Sequence, residues 1–153
     1  MTTYKKTVLL TVVFIALVIL IAKPYFKQQN TTEFFALGTL TEKYNYMVQE
    51  KPVTLIVLSY DADCCASTQA FFERYNQAIN DIIENSSQEL YTLYIDYAAL
   101  SKEDEDVFNT LVEAYNLKTL PSLVLINRKG KILTKTEGPF NKEDLLRHIK
   151  EAL

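Results

Sequence analysis

Polar and apolar positions divide this chain into a leading apolar block and an alternating remainder. Thr7 to Ala22 contains no charged residue and is almost wholly Val, Leu, Ile, Phe and Ala, a stretch that must be covered by lipid or protein. From residue 33 the pattern changes. Glu33 to Leu37 predicts a short first strand. Thr39 and Glu42 are spaced as a capping box, in which hydroxyl and carboxylate each satisfy a free backbone amide, and a helix follows to about Glu50. Lys51-Pro52 breaks it. Val53 to Leu58 is a near-continuous run rich in β-branched residues, the pattern of a strand covered on both faces. Ala70, Phe71, Tyr75, Ala78, Ile79, Ile82 and Ile83 then recur at three and four, which predicts an amphipathic helix from about Cys64 to Asn85.

Leu90 to Tyr97 predicts a second inner strand, and Ser101 caps an acidic helix running to about Tyr115. Leu120 to Ile126 is a strand that begins at a proline, Arg128 to Lys131 is a hairpin turn, and Ile132 to Glu137 returns antiparallel. Gly138-Pro139 ends it. Asn141 caps a last helix with Leu145, Leu146, Ile149 and Leu153 on one face. Without repeats or low-complexity tracts, residues 33–153 read as one alternating α/β unit in the order βαβαβαββα.

The leading block divides the chain into an N-terminal anchor (1–26), a polar linker (27–32) and the α/β domain (33–153). As a helix, Thr7 to Ala22 spans roughly 24 Å, slightly less than a hydrocarbon core of about 30 Å. Tyr4, Tyr25 and Phe26 suit the headgroup layers, and Lys5, Lys6 and Lys23 can snorkel outward. A transmembrane helix retained as a signal-anchor fits better than a cleaved leader, because Leu20-Ile21-Ala22-Lys23-Pro24 lacks a small-x-small cleavage site. A buried core helix fits least. Lys5, Lys6 and the terminal amine set against Lys23 and Lys27 give a small bias toward a cytoplasmic N-terminus. The expectation is a single-pass protein of the cell membrane with its C-terminal domain extracytoplasmic.

Charge sharpens this division. Residues 1–32 hold four lysines and no acid; removing those four from the 16 Lys and Arg leaves 12 against 19 Asp and Glu, a net −7 for residues 33–153. A domain this acidic, with no basic stripe interleaved with aromatics, is no candidate for nucleic acid.

The motif Cys64-Cys65-Ala66-Ser67 follows the apolar strand directly and opens the next helix, while Leu120-Pro121-Ser122 precedes the hairpin and last helix. On these residues, together with Ile95-Asp96, the stretch Tyr115 to Leu125 and Gly138, the chain resembles the thioredoxin superfamily over residues 33–153. The resemblance implies an α/β fold, a thioredoxin-like three-layer sandwich with a central mixed sheet. It also implies a cis bond at Pro121, with the backbone of Leu120 shaping a substrate groove opposite the first cysteine; Tyr60 and Cys65 flank that groove. Three departures stand out: Ser67 replaces the second cysteine, Asp63 stands where an aromatic commonly occurs, and Leu58 occupies the place of the family's buried acid.

Cys64 is the candidate nucleophile, with Ser67 one turn later as a hydrogen-bond donor to its sulfur and Cys65 directed elsewhere. A helix N-terminus favours a thiolate by about 0.3–1 kcal/mol, rising to roughly 2 when partly buried. A carboxylate such as Asp61 or Asp63 at about 6 Å opposes it by roughly 0.7–2.8 kcal/mol, so the net activation is undecided. A Cys64–Cys65 disulfide would be strained, since adjacent Cα atoms lie about 3.8 Å apart. Two cysteines and a distant His148, read as a solvated helix residue, do not make a zinc set, and no cofactor is expected.

Two functions follow. One is a membrane-anchored thiol-disulfide oxidoreductase or isomerase acting on protein or peptide thiols and disulfides through a single cysteine. The other is a redox-inactive peptide-binding accessory protein in secretion or assembly. Small membrane-anchored thioredoxin-like proteins that accompany bacterial peptide export, such as bacteriocin transport accessory proteins, are similar in size and layout and fit either.

Overall fold

The order of elements in the computed structural model follows the alternation of apolar periods. It describes residues 38–60, 65–86 and 89–153. The expected anchor, linker and first strand lie outside the described residues. Among the described residues no helix is long and apolar enough to cross a membrane.

Helix α1 (Leu40–Glu50) starts at the capping box: Glu42 N–H donates to Thr39 Oγ1 at 3.2 Å and Thr39 N–H to Glu42 Oε2 at 2.8 Å. It stops at Lys51, whose left-handed φ of 48° turns the chain before Pro52. Strand β1 (Thr54–Ser59) follows, and all six of its residues are buried. Helix α2 (Ala66–Asn85) leads to β2 (Tyr91–Asp96), a short 3-10 turn (Tyr97–Ala99) and α3 (Glu105–Tyr115). The chain closes with β3 (Ser122–Ile126), β4 (Ile132–Glu137) and α4 (Lys142–Ala152).

The sheet order is β2-β1-β3-β4, with β1 parallel to β2 and antiparallel to β3, and β3 antiparallel to β4. A strand alternates its faces, so the odd-numbered residues of the two inner strands share one side. Val53, Leu55, Val57, Leu123 and Leu125 accordingly pack with Tyr75, Ile79 and Ile82 of α2 and Leu145 and Ile149 of α4. Helices α1 and α3 pack together, and α1 also meets β2. There the Tyr91 hydroxyl donates to the Lys43 carbonyl at 2.8 Å. Burial, with a smaller contribution from Tyr46, pushes that phenol up to about 12, so it stays a donor. The product is a mixed four-stranded sheet between two helical layers.

The hairpin turn follows its residues closely. Asn127 Oδ1 accepts from the N–H groups of Lys129 (2.9 Å) and Lys131 (3.0 Å), and Gly130 takes φ 74°, a left-handed value that favours glycine. A register shift between Leu125 and Ile126 marks a bulge in the β3–β4 pair. Strand β4 is the half-exposed edge.

Several boundaries differ from the sequence expectation; β3, for one, starts at Ser122 rather than at Leu120. Helix α2 starts at Ala66, two residues late, because Cys65 holds an extended conformation (φ −166°, ψ 153°) and serves as its N-cap. Helix α3 starts at Glu105. Ser101 Oγ accepts from Asp104 N–H at 3.2 Å, which closes a separate turn ahead of the helix. On α2 it is Phe72 that is buried with Tyr75, Ile79 and Ile82, while Ala70, Phe71, Ala78 and Ile83 are only half-buried. Leu153 is exposed because α4 ends at Ala152.

Candidate functional site

Strand directions gather four chain ends at one edge of the sheet. The parallel pairing ends at Ser59 with Asp96, and the antiparallel pairings place Ser122 against both Leu58 and Glu137. Continuing the β1–β3 register by one residue sets Pro121 opposite Ser59. The ends of β1, β2 and β4 and the start of β3 therefore share one rim.

Pro121 is buried and the Leu120–Pro121 peptide is cis. Leu120 is half-buried. The carbonyl of Pro121 accepts from Gly138 N–H at 2.7 Å, and Gly138 adopts φ 85° to present that N–H. Ser122 Oγ donates to the Thr119 carbonyl. The loop carrying Leu120–Pro121 is thus tied down by main-chain and side-chain bonds on both sides of the proline.

The opposite flank is built from β1 and α2. Ser59 is fully buried, and its hydroxyl donates to Asn76 Oδ1 at 2.8 Å, joining strand to helix. Tyr60 emerges 37% exposed, edge-on to Phe72 (ring centroids 6.0 Å) and beside Tyr97 (6.1 Å). Tyr97 in turn leans on Phe108 at 5.0 Å. These rings form an aromatic ledge along the rim. The sequence reading singled out Tyr60 but missed Tyr97, whose ring neighbours are Tyr60 after β1 and Phe108 of α3.

Cys64, with Asp61 and Asp63, lies outside the described residues. Cys65 is exposed at the N-terminus of α2 and makes no side-chain capping hydrogen bond. Its Sγ lies 3.0 Å from Thr68 Oγ1 and 3.4 Å from Ser67 Oγ. The expectation that Cys65 points away from Ser67 is therefore corrected: as N-cap, Cys65 sits at the top of the first turn, and residues two and three positions on reach back toward it. Thr68, not singled out from sequence, joins that cluster.

Leu58 is fully buried between Ile95 of β2 and Ser122 of β3. His148 on α4 is half-exposed, with Nδ1 3.6 Å from Glu151 Oε2. Among the described residues no group of three or more His, Cys, Asp or Glu is gathered to hold a metal.

No family model and none of the curated proteins compared matches this chain. Among solved structures, thioredoxin from Aeropyrum pernix superposes with a TM-score of 0.59 at 11% identity, covering 76% of this chain and 85% of that one. The pneumococcal exposed lipoprotein thioredoxin Etrx1 from Streptococcus pneumoniae (TM-score 0.46, 17% identity, 65% and 86% covered) and StoA from Bacillus subtilis (0.43, 14%, 65% and 84%) are also similar. At these identities the likeness concerns the backbone. With the β2-β1-β3-β4 order and its two helical layers, the first of these comparisons gives the described domain a thioredoxin-like α/β fold.

Proposed function

We propose that this chain is a membrane-anchored, outward-facing thiol-disulfide oxidoreductase or isomerase that works through one cysteine. Cys64 is the nucleophile. Its thiolate attacks one sulfur of a protein or peptide disulfide, forming a mixed disulfide and expelling the other substrate sulfur as a thiolate. A second thiol, from the substrate or from a partner protein, then attacks the substrate sulfur of that bond and regenerates the Cys64 thiolate. With a substrate thiol the net result is isomerisation; with an external thiol it is exchange, which leaves one substrate sulfur as a free thiol and the other in a disulfide with that thiol. Ser67 carries no sulfur, so it serves as a hydroxyl donor at the start of α2 and the release step passes to another molecule.

What supports the reading is the register that brings Pro121 beside the C-terminal end of β1, the strand that leads to the cysteine pair. Leu120, Pro121, Tyr60 and Cys65 are assigned to the peptide groove at that rim. Anchorage at the cell membrane is assigned to residues 7–22, and the cis Leu120–Pro121 peptide to the floor of the groove.

Leu58 and Ser67 favour the second reading, a redox-inactive peptide-binding accessory protein, because both parts of a dithiol cycle are missing together. The deciding experiment traps mixed disulfides on Cys64 in whole cells, in a Cys65→Ala background. Partners that disappear in Cys64→Ala establish the thiol reading, and Ser67→Cys then releases them. An empty trap, with a Cys64→Ala chain that supports growth and secretion normally, leaves the accessory role.

A further inference from the structure

The loop ahead of Leu120–Pro121 is held from the side by β4, through a residue that no motif pointed to. Glu137 Oε2 accepts from Lys118 N–H at 2.8 Å, Thr119 N–H at 3.0 Å and Thr119 Oγ1 at 3.3 Å. Its other oxygen lies 3.5 Å from Lys135 Nζ. That ammonium donates to the carbonyls of Tyr115 (3.2 Å) and Asn116 (3.0 Å). The next residue along, Gly138, gives its N–H to Pro121. Two β4 side chains and the Gly138 amide just after the strand therefore grip the segment at residues 115, 116, 118, 119 and 121.

One oxygen receiving three donors is a task for a carboxylate. An ionised acceptor makes shorter and stronger bonds than an amide oxygen. The loop has no helix or strand of its own between Asn116 and Ser122, so the placement of Leu120 depends on these ties. The backbone N–H of Lys118, with further help from Thr119 and Lys135, holds the Glu137 carboxyl below the usual carboxylate range and keeps it ionised.

We infer that Glu137 is a positioning residue: its carboxylate fixes the Leu120–Pro121 segment so that the rim accepts an extended peptide backbone, and peptide disulfides depend on it where small disulfides do not. The inference rests on the peptide groove proposed above. A small disulfide needs only access to the thiolate, whereas a peptide must match the fixed loop as well.

The test uses the full-length chain in detergent micelles, in a Cys65→Ala background. Two probes release the same thionitrobenzoate chromophore when Cys64 attacks: a small aromatic disulfide, and an extended octapeptide whose single cysteine carries thionitrobenzoate. Glu137→Ala is expected to slow the peptide reaction about tenfold, on the scale of one lost charge-assisted hydrogen bond, and to leave the small probe unchanged. Glu137→Gln, which keeps an acceptor oxygen, falls between. Equal slowing of both probes, or no slowing of the peptide, overturns the inference and leaves the thiol reading intact; so does a wild-type chain that takes the small probe but not the peptide. If wild type takes neither, the thiol reading fails, and fluorescence anisotropy of the reduced peptide decides the inference. Weaker binding to Glu137→Ala then supports it, and binding no weaker overturns it.

Discussion

The two flanks of the rim are held by different forces. On the β1–α2 flank the strand is buried throughout, and its last residue meets the helix through a single neutral bond, Ser59 to Asn76. On the β4 flank the segment before Pro121 buries Leu117 but leaves Asn116, Lys118 and Thr119 exposed, and there it is held by Glu137, Lys135 and Gly138. The first flank gains its rigidity from the core and transmits any change to global stability. The second is a polar clamp on an exposed loop, which can loosen without unfolding the sheet behind it. The groove proposed between them has one wall fixed by packing and one wall fixed by charge.

That contrast is broken most forcefully at Leu58. Leu58→Asp buries a carboxylate between β2 and β3, where no described partner is provided. It is expected to cost about 3–5 kcal/mol at neutral pH, read by denaturant unfolding. The loss should shrink as pH falls, because burial raises the carboxyl's folded pKa and the neutral form is the tolerated one. A variant as stable as wild type would mean that the β1 flank is not sealed.

Ser59→Ala removes the donor facing Asn76 and leaves a part-buried amide oxygen short of a partner. The expected cost is about 1–3 kcal/mol, again seen in global unfolding. A loss confined to local hydrogen exchange would place Ser59 with the clamp and erase the distinction.

The helix starts give a smaller contrast. Thr39→Ala deletes a working cap on α1 and should cost about 1 kcal/mol. Cys65→Ala on α2 removes no side-chain cap bond and should stay within about 0.5 kcal/mol. If Cys65→Ala proves the more damaging, its contacts with Ser67 and Thr68 stabilise the helix start rather than merely occupying it.

The mildest effect is expected on acidification. Glu137 has its folded pKa depressed, so its contribution is present above the ordinary carboxylate value of 4.5 and is lost as pH falls through the lower folded value. Amide resonances of Lys118 and Thr119 should shift together over that acid range while those of β1 do not, and Glu137→Ala should abolish the shift. Simultaneous movement of β1 would show that the clamp and the core are one cooperative unit.

Much of this was legible in the order of residues. The fully buried β1, the Thr39–Glu42 box, the Arg128–Lys131 turn and the Asn141 cap are local in character: apolar period, side-chain length and permitted φ are read within a few positions. The starts of α2 and α3 were not, because the sequence set them at Cys64 and Ser101, and only the backbone shows that Cys65 and Asp104 are the caps. Phe72 was passed over for Ala70 because α2 turns its buried face toward two strands and α4, a direction fixed by packing rather than by period alone. Glu137 reads as the last polar residue of an edge strand, and its partners lie 18 and 19 positions earlier.

The sequence by itself determined the elements, their order and the cysteine pair set after a buried strand, since each follows from short-range sterics and from hydrophobic periodicity. Tertiary structure alone decided that Pro121 faces the end of β1, that Tyr97 joins Tyr60 on one ledge, and that a carboxylate from the sheet edge holds the proline loop. Those pairings arise from strand register and sheet order, which are set only when the whole core closes and distant segments become neighbours.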